Sequence, residues 1–549
     1  MAIIDEQAID PARAVLNQPP PLQDVDAFAL DLALREGLER EGGGWGVQIA
    51  HEAGAIAGSA EARAHGRRAE RNEPRLLTHD RFGNRVDEVE LDPSWHWLLG
   101  GAVARGIHSL PWRPDAGAGA HVVRAALFML WSGIDAGVMC PVSMTYAAVP
   151  ALRDGAPELA ARWEPLLCGT DYATVGLAGM AMTERQGGSD VRANVTRAEP
   201  DLDGDWTLHG HKWFCSYPPC RVFLTLAQTD AQAVGGGRVG SDSPSCFLVE
   251  RGPGMEFQRL KDKLGTRSLP SSEVEFRGAR ASLVGEPGRG VAAIIRMVNH
   301  TRLDCLLGST QSLRRGTVEA IHHAVHRRAF GARLVDQPAM ANVLADLAVE
   351  SEAATVAALR VARSYDDPGE EPFRRMATAV MKYWVTKRAP AHAAEALECL
   401  GGNGYVEDSG MPLLLRDSPL NSIWEGSGNV AALDVLRAIA REPDGTATFL
   451  AECERSEGGD RRLDAHLDAL RARLGALATA ADQDAQFGVR GLVEDLALAL
   501  QGSLLVRHAP AAVADGFCAA RLEGGAGRVY GTLPLGVDAR AIIARAYPV

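Results

Sequence analysis

A chain of 549 residues is too long for one hydrophobic core, and at about 150 residues per domain it divides into three or four. Hydrophobic residues at 46% and charged residues at 23% match an ordinary soluble globular protein. The net charge of −13 excludes a global attraction to phosphate backbones, so any nucleic-acid contact must come from a local patch.

Nine scattered cysteines without a CxxC pair support neither a disulfide framework nor a metal site. No run reaches the ~18–20 apolar residues that a membrane span needs. The start, MAIIDEQAIDPARAVL, lacks the basic and then apolar order of a signal peptide, so a cytoplasmic location is expected. Only five basic residues are lysine (Lys212, Lys261, Lys263, Lys382 and Lys387), a bias that reads as genome composition rather than function.

In chain order, residues 1–30 are rich in Pro, Asp and Gln and read as an extended arm. Helical periodicity dominates 31–173, as in Val122, Val123, Ala126, Leu127 and Leu130, and Pro141 and Pro150 punctuate it. Over 174–286 short β-rich runs take over: 206–209, 222–226, 246–249 and 272–276. Turn signals at Asp203-Gly204 and 234–237 separate them, which predicts an antiparallel β domain. Helical periodicity returns over 287–440, Arg441 to Gly445 reads as a linker, and 446–549 form a further helical domain. There Leu463, Leu467, Leu470, Leu474 and Leu477 recur at helical spacing.

Chemistry concentrates in a few runs. Gly179-Met-Ala-Met-Thr-Glu-Arg-Gln-Gly-Gly-Ser-Asp190 mixes turn glycines with small hydroxyl and amide groups. Taken alone it suits a structural turn, or a loop that sets N–H groups and the Thr183 and Ser189 hydroxyls against a flat polar ligand edge. Gly210-His-Lys-Trp-Phe214 places an aromatic pair beside it. Further on stand Thr301-Arg302, Arg327-Arg-Ala-Phe-Gly331, Glu398-Cys-Leu-Gly-Gly-Asn-Gly-Tyr405 and Asn421-Ser-Ile-Trp-Glu-Gly-Ser-Gly-Asn429. The last sets a lone carboxylate between an indole and a glycine. None of these runs holds a GxGxxG, which argues against a Rossmann-bound dinucleotide.

In this order the runs resemble the acyl-CoA dehydrogenase flavoprotein family, and the resemblance covers roughly residues 70–440. It implies a helical, β-barrel, helical fold with an extra helical domain here, a non-covalent FAD and an acyl-CoA substrate. It also implies an electron acceptor and a homotetramer built as a dimer of dimers. Carried over residue by residue, Met182, Thr183, Gly188 and Ser189 contact the isoalloxazine or the substrate, and Trp213, Phe214, Cys215 and Ser216 flank the ring and its N5. Arg327 and Phe330 contact FAD, commonly that of a neighbouring subunit. Gly401, Gly402 and Gly404 let backbone approach a pyrophosphate or adenosine, and Ile423, Trp424, Gly426, Ser427 and Asn429 complete the cofactor set. Thr301, Arg302 and Trp424 wall the substrate pocket.

The implied reaction is α,β-dehydrogenation, in which Glu425 takes the α-proton while the β-hydrogen leaves as hydride to flavin N5. Three positions depart from the family: Glu398 replaces a common glutamine, Trp424 a common tyrosine, and Gln337 is displaced by one residue.

Further runs, including Arg40-Glu-Gly-Gly-Gly-Trp45, Cys140-Pro-Val-Ser-Met-Thr145 and Arg259-Leu-Lys-Asp-Lys-Leu-Gly265, are similar to the AidB-type alkylation-response branch, which associates with DNA through its C-terminal domain. A DNA-associated protective flavoprotein with little turnover is therefore the rival reading, and a flavin oxidase or monooxygenase a third. From Arg441 onward twelve arginines face fifteen acidic residues, a net of −3, without the basic footprint of duplex binding. Arg461, Arg462, Arg471 and Arg473 on one helix, away from its leucine seam, are the candidate DNA contacts; solvated helix charge is the competing reading.

Overall fold

The computed structural model describes residues 15–201, 205–229, 244–523 and 529–548. The expected turn at 203–204 and loop at 234–237 lie outside the described residues.

The N-terminal part holds α1 (Leu32–Leu38), α2 (Val47–Ala57) and α3 (Ala60–Arg71), then a hairpin of β1 (Arg75–His79) and β2 (Arg85–Glu90). Helices α4 (Pro93–Ala104), α5 (Ala120–Ser132), α6 (Met139–Gly155) and α7 (Pro157–Leu167) follow. The hairpin interrupts the region expected to be wholly helical; its exposed, polar alternation had no apolar face to announce it. Helix α5 is apolar around nearly its whole circumference and is correspondingly buried from Ala120 to Trp131.

The β domain runs from β3 (Ala178–Ala181) and β4 (Arg197–Pro200) through β5 (Trp206–Cys215), β6 (Val222–Thr229) and β7 (Ser245–Glu250) to β8 (Met255–Leu260) and β9 (Ser272–Val284). Strand β6 pairs with β4 and β7, β7 with β9, β9 with β5 and β5 with β4, so the sheet closes on itself and leaves no free edge in that ring. The expectation of an antiparallel domain needs correction at two seams, since β3 and β4 both pair with β6 in parallel.

One buried ion pair joins this barrel to its ligand-facing loop. Lys212 on β5 is fully buried, and its ammonium lies 2.7 Å from Glu184 Oε1 and 2.7 Å from the Leu226 carbonyl. Glu184 also accepts from the Val195 N–H (2.7 Å) and the Thr196 hydroxyl (2.6 Å). Burial alone would raise this carboxyl, but the Lys212 ammonium and these donors hold it at about 2; burial draws Lys212 down to about 8, so both stay charged at neutral pH. Gly210 lets the strand approach closely, because a Cβ there would meet Thr196 Cα at 2.7 Å.

The second helical part has α8 (Gly290–His326), a short hairpin of β10 (Arg328–Ala329) and β11 (Ala332–Arg333), α9 (Pro338–Arg363), α10 (Glu371–Cys399), α11 (Met411–Asp417) and α12 (Gly428–Arg441). The chain closes with α13 (Pro443–Glu454), α14 (Arg461–Leu477), α15 (Asp482–His508), α16 (Ala511–Arg521) and α17 (Ala539–Ala546). The expected linker at 441–445 is a helix end and a helix start parted by Glu442 alone, because Pro443 suits the first turn of a helix.

Buried polar contacts weld the last helices to the bundle. Glu452 takes Arg360 (3.0 Å) and Arg507 (2.6 Å), Arg521 reaches Asp346 and Glu350, and Trp384 Nε1 donates to Gln501 Oε1 at 3.0 Å. No described helix is long and apolar enough to cross a membrane.

Removing one partner of a buried pair strands a charge. Lys212→Met should therefore cost roughly 3–5 kcal/mol, read as an earlier urea transition, and the double variant with Glu184→Gln should unfold later than Lys212→Met alone.

Candidate functional site

Glu425 has a left-handed backbone, φ +58°, unusual for a residue with a side chain and worth about 1–3 kcal/mol of strain. Two buried cations hold it there. Lys382 on α10 donates to the Trp424 carbonyl (3.0 Å) and the Gly426 carbonyl (2.6 Å), and Arg302 on α8 donates to the Glu425 carbonyl at 3.0 Å. Arg302 is fixed in turn by Asp434 on α12 at 2.7 Å, and Asp434 takes Arg375 of α10 at 2.8 Å. Three consecutive carbonyls are thus gathered from below, leaving the carboxyl to face the cavity.

That cavity, of about 730 Å³, is apolar along Phe128, Met139, Cys140, Met144 and Met180, with Thr301, Trp424 and Glu425 at one wall. The indole is pinned by a 2.8 Å bond from its Nε1 to Asn421 Oδ1. Desolvation pushes the Glu425 carboxyl above its ordinary 4.5, against the Thr301 hydroxyl and the Arg302 and Lys382 charges, which lower it. Of the other two carboxylates in the lining, Asp304 is clasped by Arg124 at 2.6 and 2.8 Å, and Asp417 accepts from the Thr266 N–H at 2.7 Å. Arg302 does not line the cavity, contrary to expectation; its guanidinium is engaged beneath the loop, whereas Thr301 and Trp424 do line it.

The residue that follows β5 also reaches this cavity. Ser216 lines the cavity with Glu425. Cys215, expected to flank the cofactor ring, points instead into the core, where burial pushes its thiol up to about 12. A break in the β5–β9 register between Lys212 and Cys215 shifts the alternation that would have turned it outward. Trp213 has Lys261 Nζ 3.2 Å from its ring centre, so one face of the indole is taken. Phe214, 44% exposed, has the same ammonium farther off, at 5.0 Å from its ring centre, and is the more open ring. Thr183 is tied to this segment by the Trp213 N–H bonding its carbonyl at 2.7 Å. Gly188 leaves room over it, since a Cβ there would meet Thr183 Oγ1 at 2.4 Å. Met182 is half-buried and Ser189 exposed.

These groups fit a large planar cofactor. Exposed apolar side chains that ordinary packing would cover (Phe214 and, after Asn421, Ile423 at 60%) stand beside hydroxyls and free backbone. Gly401 and Gly402 present open backbone, with no atom within 4 Å of where a Cβ would lie. Gly404 does not share that role: a Cβ there would strike the Leu397 carbonyl at 2.0 Å, so this glycine serves packing.

Arg327 and Phe330 lie away from the Glu425 cavity, on the β10–β11 hairpin. Arg327 donates to the Asn17 carbonyl at 2.6 Å, and Phe330 is 99% exposed. Asn429 accepts from Arg490 Nε of α15 at 2.8 Å, and Ser427 stands at the N-cap position of the same helix, α12, without a side-chain cap bond.

The four candidate DNA contacts are all engaged with acids. Arg461 pairs with Glu523, Arg462 with Asp460 and Asp515, Arg471 with Glu454, Glu457 and Asp468, and Arg473 with Asp495. This is ion-paired helix surface.

Sequence reasoning missed Lys382 and the sulfur-rich wall. Lys212 braces the 182–196 loop, Lys261 lies over the Trp213 ring, Lys263 donates to the Leu269 carbonyl, Lys382 holds the Glu425 loop, and Lys387 packs on Gly428.

Residues 17–174 match the AidB N-terminal domain, 179–279 the acyl-CoA dehydrogenase middle domain and 288–440 the acyl-CoA dehydrogenase C-terminal domain. The chain is 39% identical over 528 residues to the Escherichia coli protein AidB, covering 93% of this chain and 94% of that one. It is 34% identical to acyl-CoA dehydrogenase family member 11 of Caenorhabditis elegans, over 74% of this chain and 69% of the relative. The solved structure of C. elegans ACDH-11 in complex with C11-CoA superposes with a TM-score of 0.83 at 27% identity, over 96% of this chain and 92% of that one. The chain belongs to the acyl-CoA dehydrogenase family of oxidoreductases, within the group that carries the AidB N-terminal domain.

Proposed function

We propose that this protein removes the α-proton and β-hydride of an acyl-CoA thioester, with Glu425 as the base and FAD as the non-covalent cofactor. The observation that carries the reading is the shared cavity, lined by Glu425, by Ser216 of the flavin-side segment, and by apolar sulfur and aromatic side chains. FAD, when bound, supplies the hydride acceptor at N5. Everything else falls to the chain. Phe214, Thr183 and Ser189 orient the ring, the apolar wall excludes water from the acyl carbons, and Trp424 limits bulk at the α-carbon. Lys382 and Arg302 keep the Glu425 backbone turned so that its carboxylate meets the α-proton. The C11-CoA held by the C. elegans neighbour supports a CoA thioester as substrate here. The fully exposed Phe330 on its hairpin supports assembly with further copies, read as a homotetramer, and a separate protein would reoxidise the flavin.

The DNA-associated alkylation-response reading draws on the likeness to AidB, while the ion-paired arginines of α14 stand against it. Duplex DNA should shift only at low salt, and substituting Arg461, Arg462, Arg471 and Arg473 by alanine should leave FAD in place. Tight binding at about 0.15 M salt would favour the DNA role.

Glu425→Gln should retain FAD and lose about 10²–10⁴ in the rate of flavin bleaching by an acyl-CoA under anaerobic conditions. An unchanged rate would place the base elsewhere.

The base works ionised, and its pKa is raised by desolvation, so the bleaching rate should fall as pH drops through a midpoint above 4.5. Thr301→Val removes a hydroxyl that lowers this pKa and should move the acid limb to higher pH; a limb that stays put would show that Thr301 does not touch the carboxylate.

A further inference from the structure

A second, small cavity adjoins the one that Glu425 faces, sharing Ser132, Ala136, Gly308, Asp417 and Asn421 with it, at the junction of the α5–α6 turn, α8 and α11. Its character is different. Where the first is walled by Phe128, Met139, Met144 and Met180, the second is lined by Asp135, Gln311, Ser312 and Arg315 as well as Asp417. A plain alkyl tail reaching this region would desolvate polar groups without replacing their hydrogen bonds, which costs about 1–3 kcal/mol for each group left unpaired.

Two atoms of this lining already lack partners. Asp135, 3% exposed, spends Oδ1 on the Val138 N–H (2.8 Å) and the Ser268 hydroxyl (3.1 Å), and its buried Oδ2 bonds nothing. Ser312 Oγ, one α8 turn before Arg315, is also buried and unpartnered. Buried polar atoms are nearly always satisfied by protein, water or ligand. An acceptor and a hydroxyl left open in one cavity, adjoining the one that Glu425 faces, call for a group that both donates and accepts.

The sign of the charge is constrained as well. A carboxylate tail would enter beside Asp135 and Asp417, two carboxyls that burial and then the Glu70 charge already push up, with Glu70 behind them accepting from the Arg267 and Ser268 N–H groups. An ammonium tail would meet Arg315, which spends Nη1 on the Gly133 carbonyl at 3.2 Å. Burial and then the Glu70 charge push Asp135 up to about 7, so near neutral pH this group is available in both its accepting and its donating forms.

We propose that this second cavity is a subsite for a neutral hydrogen-bonding group, a hydroxyl or an amide, near the far end of the acyl chain, so that the preferred substrates are polar-tailed acyl-CoA thioesters rather than plain alkanoyl ones. The inference rests on the acyl-CoA reading above.

The test uses the holoprotein and matched pairs of alkanoyl-CoA and ω-hydroxyalkanoyl-CoA over a series of chain lengths. Anaerobic flavin bleaching gives kcat/KM, and calorimetric titration gives Kd. At the length that reaches the second cavity the hydroxyl member should be preferred about tenfold in Kd, the worth of one net hydrogen bond of about 1.4 kcal/mol. Ser312→Ala should narrow that preference several-fold while leaving the plain member within about twofold, and Asp135→Asn supplies an independent variant at the other open atom. Equal Kd and equal kcat/KM within every pair would overturn the subsite and leave the cavity end as a water pocket. A Kd preference without bleaching by either series would overturn the dehydrogenase chemistry and keep the subsite. No binding of either series would overturn both.

Discussion

Three successive carbonyls, those of Trp424, Glu425 and Gly426, are held by two cations that come from different helices, and the rest of the site is arranged around that clasp. A non-glycine residue at φ +58° persists only where its surroundings over-determine it. Here they do so through Lys382 on α10, Arg302 on α8, and Asp434 on α12, which holds Arg302 from behind. The clasp thereby converts the packing of three long helices into the direction of one carboxyl. It also sets the electrostatics. The same two cations offset part of the desolvation that raises the Glu425 pKa.

Ser216 is delivered to the cavity by a different device. The barrel closes through β6 and β7, and the Glu184–Lys212 pair inside it ties the 182–196 loop to the strand that ends at Ser216. Buried ion pairs are weak evidence for stability, but this one is surrounded by additional donors and fixes a loop that would otherwise be free to shift. Glu425 and Ser216 line one cavity only because the barrel docks on the bundle.

The C-terminal helices are continuous with that bundle and do not hang from a linker. Glu452 and Glu350 each collect two arginines from separate helices, and α15 reaches Asn429 through Arg490, next to the Glu425 loop. The four arginines of α14 are already paired with acids, so a phosphate contact through any of them would first have to break an existing pair.

The order of helical, β and helical parts, the loops at 179–190 and 421–429, and Glu425 as the candidate base are legible in the sequence, because these rest on local chemistry: periodicity, turn glycines, and a carboxylate placed between an indole and a glycine. Other features come from packing between elements. That Ser216 and not Cys215 faces the cavity follows from a register break invisible in a run of residue types. That Arg302 supports the Glu425 loop from beneath follows from partners 123 and 132 residues away. Lys382, the parallel pairing of β3 and β4 with β6, the ion pairing of the α14 arginines and the polar cavity beyond the acyl wall are of the same kind. Each depends on groups brought together by packing across elements, and a linear pattern carries residue type and period but not the neighbour on the next helix.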